Sequence, residues 1–392
     1  MKNNLSYSQN VEIIKKNIYN TKFNDLELNG YLWSYLMISA NLSTFLPKLQ
    51  NKLHFDVIRN MQFHRDISRM DLFYPSLLEN TKFYDKNNVI EKCLEKPHIF
   101  VSYHAGPYYM IFRHLAKMKV PFCVVAGDNY IKDFDNKVQE IFRGIPNLEN
   151  TTLPIYTAED PKLLLKLNKN LKEGMSVFFF IDGNTGSKEN DFNNDKNLLK
   201  INFLNHHIYA RQGVAFLAYL SKTPIVTIIA KRNKKLNNIV KINLLNIKDQ
   251  SLRVNRNKYI NTITKKLYKV LENYLKINYE QWSGWFYVQY MFDTESPTQI
   301  NDQNKERKVN FKKDKLILND FIDLIKHNDN NIFLVMKKEY EIMRIKQSLF
   351  DVLSNFKTPK TINTDETLII NNEVVRLDYI NELIELNYLK LA

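Results

Sequence analysis

The sequence predicts an α/β protein: a mostly parallel sheet flanked by helices, preceded by an N-terminal helical region and followed by a small winged-helix-like module. Three observations carry this. From His98 onward, short β-rich runs alternate with helical ones, the pattern of strands joined by crossover helices. Phe178-Phe179-Phe180-Ile181 is apolar on both faces, as a central strand covered on two sides should be. Seven of the nine glycines fall between Gly106 and Gly213, where backbone must turn tightly or approach a ligand.

The chain of 392 residues is long enough for a real core and more than one domain. Its 44% hydrophobic and 25% charged content is that of a globular protein and argues against wholesale disorder. Residues 1–90 read as helical, with apolar clusters such as Tyr31-Leu32-Trp33-Ser34-Tyr35-Leu36-Met37 and no strand alternation. Arg59, His64, Arg65 and Arg69 recur at near-helical spacing there, which a solvated basic helix face explains most cheaply.

An α/β domain then occupies 91–293. Its expected strands are 98–104, 121–126, 152–156 and 176–181, with helices over 107–118, 129–143 and 161–173 between them. Gly174 stands where the last of these helices should stop. A polar loop at 187–195, a hairpin at 201–210, a helix at 212–222, strands at 224–230 and 240–247, and a long helix at 259–279 complete the unit. The aromatic end Gln281-Trp282-Ser283-Gly284-Trp285-Phe286-Tyr287 would cover the sheet edge. Residues 294–315 are polar and charged and read as a linker. The module 316–392 shows a hairpin (331–336 and 341–345), a helix at 347–356 and an amphipathic helix at 378–389.

The formal charge of +14 implies a surface attracted to polyanions: nucleic acid, an anionic membrane face, the phosphates of coenzyme A or an acidic carrier protein. Nucleic acid ranks last, because the only candidate recognition helix, 378–389, is acidic. Cys93 and Cys123 have no metal-ligand spacing and fit a reducing cytoplasm. The N-terminus lacks a signal-peptide core, and the apolar stretch 213–230 is broken at Ser221-Lys222-Thr223-Pro224 before it could span a bilayer. The expectation is a cytoplasmic protein whose membrane contact, if any, is peripheral and at the inner membrane face.

No Gly-rich phosphate loop and no Gly-x-Ser-x-Gly nucleophile turn occurs. His206 and His207 are adjacent, but neighbours on a strand point to opposite faces and cannot share a metal, so no metal site is expected. What remains is His104, at the end of a strand and before a Gly-Pro break, and Asp182, at the end of the strand 176–181. If those strands are neighbours the two side chains could meet, and a histidine oriented by a carboxylate can take a proton from a hydroxyl or amine. A hydrogen-bonded structural histidine in a loop is the plainer alternative.

Residues 98–293 resemble the lysophospholipid acyltransferase superfamily, particularly the bacterial branch that adds secondary acyl chains to lipid A. The strand leading into His104, the Gly174–Gly186 block with Asp182, the segment Phe203–Pro224 with Arg211-Gln212-Gly213, and Glu280-Gln281-Trp282 after a long helix correspond in order. The resemblance implies that His104 is a general base and that the donor is an acyl-CoA or acyl-carrier-protein thioester, with no bound cofactor. It implies Gly106, Tyr109, Gly183 and Arg211 as substrate-binding positions, with backbone amides near Gly106 or Gly183 as oxyanion donors and Arg211 for a phosphate or polar head group; a surface arginine is the alternative. The family's acid stands five positions after the histidine, where this chain has Tyr109. Either Asp182 orients His104 instead, or the protein is a catalytically altered binding module for a peptide or carrier protein. Lacking the family's N-terminal spanning helix, the chain is expected to use a soluble or membrane-surface acceptor. The C-terminal module resembles the small domains that recognise leader peptides of ribosomally made natural products, which implies a peptide or carrier-bound acceptor.

Overall fold

The computed structural model describes the chain from residue 6 onward, except residues 29, 129–130, 132–140, 143–144, 146–152, 184–196, 205, 248–253, 292–308, 312, 338, 340, 363–366 and 371–372. Most of the expected helix at 129–143, the loop at 187–195 and most of the linker at 294–315 therefore lie outside the described residues.

The chain forms two compact units, one made of 1–21 and 57–292 and the other of 22–56 and 293–392. This corrects the expectation of a separate N-terminal region 1–90: its residues divide between the units, because helical periodicity reports that a face is buried without saying against what.

The first unit is built on a seven-stranded sheet. Its strands are β1 (Lys82–Tyr84), β2 (Ile99–Ser102), β3 (Phe122–Ala126), β4 (Ile155–Thr157), β5 (Ser176–Phe180), β8 (Ile225–Arg232) and β9 (Asn238–Leu244), and β6 (Leu198–Phe203) with β7 (His206–Arg211) forms a separate hairpin. The spatial order is β1-β9-β8-β2-β5-β3-β4. The run from β8 to β4 is parallel, whereas β9 is antiparallel to β8 and β1 is parallel to β9. β1 corrects the expectation of a strand-free N-terminal region; three residues ending a sheet show too little alternation to be read from sequence.

Alternate side chains on the strands point to opposite faces, and both faces are covered. Phe100, Val124, Phe178 and Val226 bury themselves with Met110, Phe112 and Leu115 of the helix Tyr109–Lys117. Ile99, Val101, Cys123, Val177 and Ile225 lie on the other face, against the helices Leu163–Lys172, Gly213–Ser221 and Arg256–Asn278. This gives the expected helix–sheet–helix layering. The helix Leu163–Lys172 ends as expected, with Gly174 at φ +90°, a conformation that costs glycine little.

In the second unit, β10 (Lys315–Leu318), β11 (Ile322–Asn328), β12 (Asn331–Met336), β13 (Glu341–Arg344), β14 (Lys360–Thr361), β15 (Thr367–Ile370), β16 (Glu373–Arg376) and β17 (Leu389–Leu391) form small antiparallel sheets. The expected hairpin is β12–β13, and the expected helix at 347–356 is Gln347–Asn355. The terminal helix is shorter than expected: it runs Leu377–Glu385, Asn387 takes a left-handed φ of +58°, and β17 then pairs with β10. Among the described residues, no helix is long and apolar enough to cross a membrane.

Candidate active site

Parallel pairing of β2 with β5 sets Ser102 opposite Phe180, and the Ile181 N–H continues the ladder to the Ser102 carbonyl. Two residues beyond that register stand His104 and Asp182. The neighbour relation left open by the sequence therefore holds, and the side chains meet: His104 Nδ1 is 2.9 Å from Asp182 Oδ1, and the His104 backbone N–H donates to Oδ2 at 2.8 Å.

The Trp282 indole Nε1–H donates to the same Oδ2 at 2.7 Å. Asp182 is fully buried, and a carboxylate can be held there because these donors replace its water. With one oxygen accepting from the His104 backbone and Trp282, the other is left for Nδ1–H, which fixes the imidazole tautomer with the lone pair on Nε2. Among the described residues nothing hydrogen-bonds Nε2. The His104 side chain is 29% exposed while that of Asp182 is 0%, so the ring can be reached and its partner cannot.

Aromatic packing fixes the ring plane. Phe180 stacks on His104 with centroids 4.4 Å apart and planes 27° from parallel, and Tyr108 meets it edge-on at 5.5 Å. Both strand ends are tied to the long helix Arg256–Asn278, through Tyr103 Oη to the Leu267 carbonyl at 2.6 Å and Tyr268 Oη to the Ile181 carbonyl at 2.8 Å. Burial, then the Asp182 charge, pushes both phenols above their usual range, so they remain neutral donors.

The segment after the helix closes the site from the other side. Ala105 and Trp282 form an antiparallel bridge, the Ser283 N–H donates to the His104 carbonyl at 2.9 Å, and the Gly106 N–H donates to the Gln281 carbonyl at 2.9 Å. The Gln281 side-chain amide clamps the Arg232 backbone, accepting its N–H at 2.7 Å and donating to its carbonyl at 2.8 Å. Arg232 Nη1 donates to Ser68 Oγ at 3.0 Å, and that hydroxyl's one proton is shared between the carbonyls of His64 (2.7 Å) and Gly106 (2.8 Å). Arg232 is also ion-paired with Asp71, which accepts from the Tyr7 hydroxyl at 2.9 Å. The turn after His104 is thus held on both its N–H and C=O sides by buried polar groups.

These contacts change the roles expected of several positions. Gly106 is buried with its amide and carbonyl engaged, so neither is presented to a substrate. It is glycine because φ is +55° and an added Cβ would lie 2.8 Å from the Ala230 carbonyl oxygen. Tyr109 is 5% exposed and packs into the core with its ring 4.3 Å from that of Tyr108, so it lines the fold rather than an open site. Gly183 lies beside the His104 ring, where a Cβ would stand 3.5 Å from Cε1, and its N–H has no partner among the described residues. Arg211 is at the exposed end of β7; its charge acts on Tyr268, whose hydroxyl binds the carbonyl next to Asp182. The basic face at 59–69 is less solvated than expected, since burial and the Arg232 charge push His64 down to about 3 and Arg65 lies over the Phe286 ring at 4.3 Å.

Trp282, Gln281, Ser68, Asp71 and Arg232 brace the site without a local sequence pattern that marks them. The Gln-Trp pair was visible as an aromatic end to the domain, but nothing in sequence aims its indole at Asp182. Among the described residues, no group of three or more His, Cys, Asp or Glu side chains is placed to hold a metal ion.

An imidazole held through Nδ1 by a buried carboxylate, with its ring partly exposed, can remove a proton from a hydroxyl or amine and return it to a leaving group. No protein-family model matches the chain, and no curated protein matches it in sequence.

Proposed function

We propose that the protein is an acyltransferase with His104 as general base and Asp182 as its orienting partner. The observation that carries this reading is the Nδ1–Asp182 hydrogen bond of 2.9 Å on a ring that is 29% exposed, with no hydrogen bond to Nε2 among the described residues. His104 Nε2 takes the proton of an acceptor hydroxyl or amine as its oxygen or nitrogen bonds to the thioester carbonyl carbon. The C–S bond then breaks, and the departing thiolate receives that proton from the imidazolium. The Gly183 N–H supports the tetrahedral oxyanion; the Gly106 amide is not assigned this role because it is bonded to Gln281.

The donor in this reading is a coenzyme A or acyl-carrier-protein thioester. The parallel sheet with His104 and Asp182 at adjacent strand ends supports an acyltransferase-like fold. The acceptor is a soluble or membrane-surface molecule, and the protein works in the cytoplasm. For the winged-helix-like reading of the C-terminal part, the support is the β12–β13 hairpin followed directly by the helix Gln347–Asn355. Peptide or carrier-bound acceptors, as in specialised-metabolite pathways, rest on that resemblance.

Replacement of the family acid by Tyr109 favours a non-catalytic module only if His104 then lacks a carboxylate. Asp182 occupies that role from another strand, so the enzymatic reading is preferred. To test it, purified protein is given acyl thioesters and a panel of hydroxyl and amine acceptors, and acceptor mass is followed. The expected result is an acyl mass gain that disappears in His104→Ala; equal turnover by that variant would remove His104 from the mechanism.

A further inference from the structure

We infer that Trp282 and Gly284 are positioning residues for His104 and Asp182: Gly284 admits the Trp282 indole, and the indole N–H holds the Asp182 carboxylate so that its other oxygen meets the histidine. The inference deepens the general-base reading of His104 and rests on it for its kinetic part; its spectroscopic test does not depend on acyl transfer.

The run Gln281-Trp282-Ser283-Gly284-Trp285 builds the wedge locally. Trp282 is extended, at φ −102° and ψ 121°, between the 3-10 turns Tyr279–Gln281 and Ser283–Phe286. That extended residue bridges Ala105, which follows His104 directly. Gly284 is buried and has no left-handed φ to explain it. An added Cβ there would overlap the indole at Cε2, Cζ2 and Cη2, so the space left by the missing side chain is where the ring sits. Trp285 meets the indole edge-on with centroids 4.9 Å apart, and its own Nε1–H is anchored on the Tyr279 carbonyl at 2.9 Å. Phe203 of β6 lies against the indole at 6.0 Å.

A buried indole needs an acceptor, and meeting that need is the plainer role for its N–H. Two features give this bond a larger one. Its acceptor is a charged carboxylate at 2.7 Å, which makes it stronger than a bond to a carbonyl. The same Oδ2 also takes the His104 backbone N–H at 2.8 Å, so two donors hold one oxygen and stop rotation of the carboxylate, leaving Oδ1 toward Nδ1. The backbone donor moves with His104 itself. The indole arrives from 100 residues away and fixes the carboxylate relative to the rest of the fold. In a proton-transfer site a misplacement of about 1 Å can cost about 100-fold in rate.

The test is NMR of the full chain with 15N-labelled tryptophan and histidine. In the unmodified protein, one of the indole N–H signals from the three tryptophans is expected downfield of the other two, as a bond to a carboxylate requires. Trp282→Phe keeps a ring and removes the donor, whereas Gly284→Ala keeps the donor and displaces it. In both, the His104 Nδ1–H resonance should move upfield and exchange faster with water. The proposed acyl transfer should lose about tenfold or more in kcat with KM little changed. Leu171→Ala, which opens a cavity in the core on the other face of the sheet, should lower the urea midpoint and leave that resonance in place. The inference is overturned if the Nδ1–H resonance is unmoved in either site variant, or if no indole signal stands downfield in the parent. Resonance shifts without acyl transfer in any preparation would remove the proposed chemistry and uphold the positioning, so the two failures read separately.

Discussion

Asp182 accepts both the backbone N–H and the ring Nδ1 of His104, at 2.8 and 2.9 Å, with the Trp282 indole bonded to the same carboxylate at 2.7 Å. One side chain therefore fixes the position, orientation and tautomer of the histidine. Replacing the carboxylate by an amide keeps the shape but turns one acceptor into a donor. In Asp182→Asn, long-range proton–nitrogen NMR should show His104 moving from the Nδ1–H to the Nε2–H tautomer. The proposed acyl transfer should fall by about 100-fold or more, and an unchanged tautomer would remove Asp182 from this role.

The two glycines flanking the dyad are expected to respond differently to a methyl group. Gly106→Ala meets the Ala230 carbonyl oxygen at 2.8 Å and keeps a φ of +55°. The left-handed backbone alone costs about 1–2 kcal/mol, and the clash adds to it, so the urea midpoint should fall clearly. Gly183→Ala meets only ordinary contact at 3.5 Å, so its midpoint should stay near that of the parent.

Arg232 and Asp71 form a fully buried ion pair beneath the turn that follows His104. Removing one partner leaves an uncompensated buried charge, which costs about 3–5 kcal/mol. Arg232→Met is expected to lose about that much in urea unfolding. The double variant Arg232→Met with Asp71→Leu should recover part of the loss, since no charge is then stranded.

Buried histidines make stability depend on mild acid. Burial lowers His54 to about 4, His114 to about 4 and His64 to about 3. Their folded values lie below the unfolded value of about 6.5, so the unfolded chain takes up protons first. Stability is present in full above about pH 6.5 and lost as pH falls toward 4. For the fully buried His54, the slope in this window is about 1.4 kcal/mol per pH unit. Unfolding between pH 7 and pH 5 should show that slope reduced in His54→Asn; an unchanged slope would place the proton uptake elsewhere.

By itself the sequence determined the layered α/β unit and the strand ends that carry His104 and Asp182. The run of strand-formers in 98–104 and the doubly apolar 178–181 report local burial, and burial on both faces is what a parallel sheet demands. The helix stop at Gly174 was equally legible, because a left-handed φ strongly favours glycine. Only the tertiary structure decided that β2 and β5 are neighbours, and hence that the Asp182 carboxylate reaches the His104 ring. It also decided that Gly106 closes a turn instead of facing substrate, and that Trp282 and Arg232 brace the site from 100 and 161 residues away from the partners they bind. Periodicity along a chain records which face of an element is buried. Which other element buries it, and which buried polar atoms then meet, depends on contacts distant in sequence, and a single chain's local pattern does not encode them.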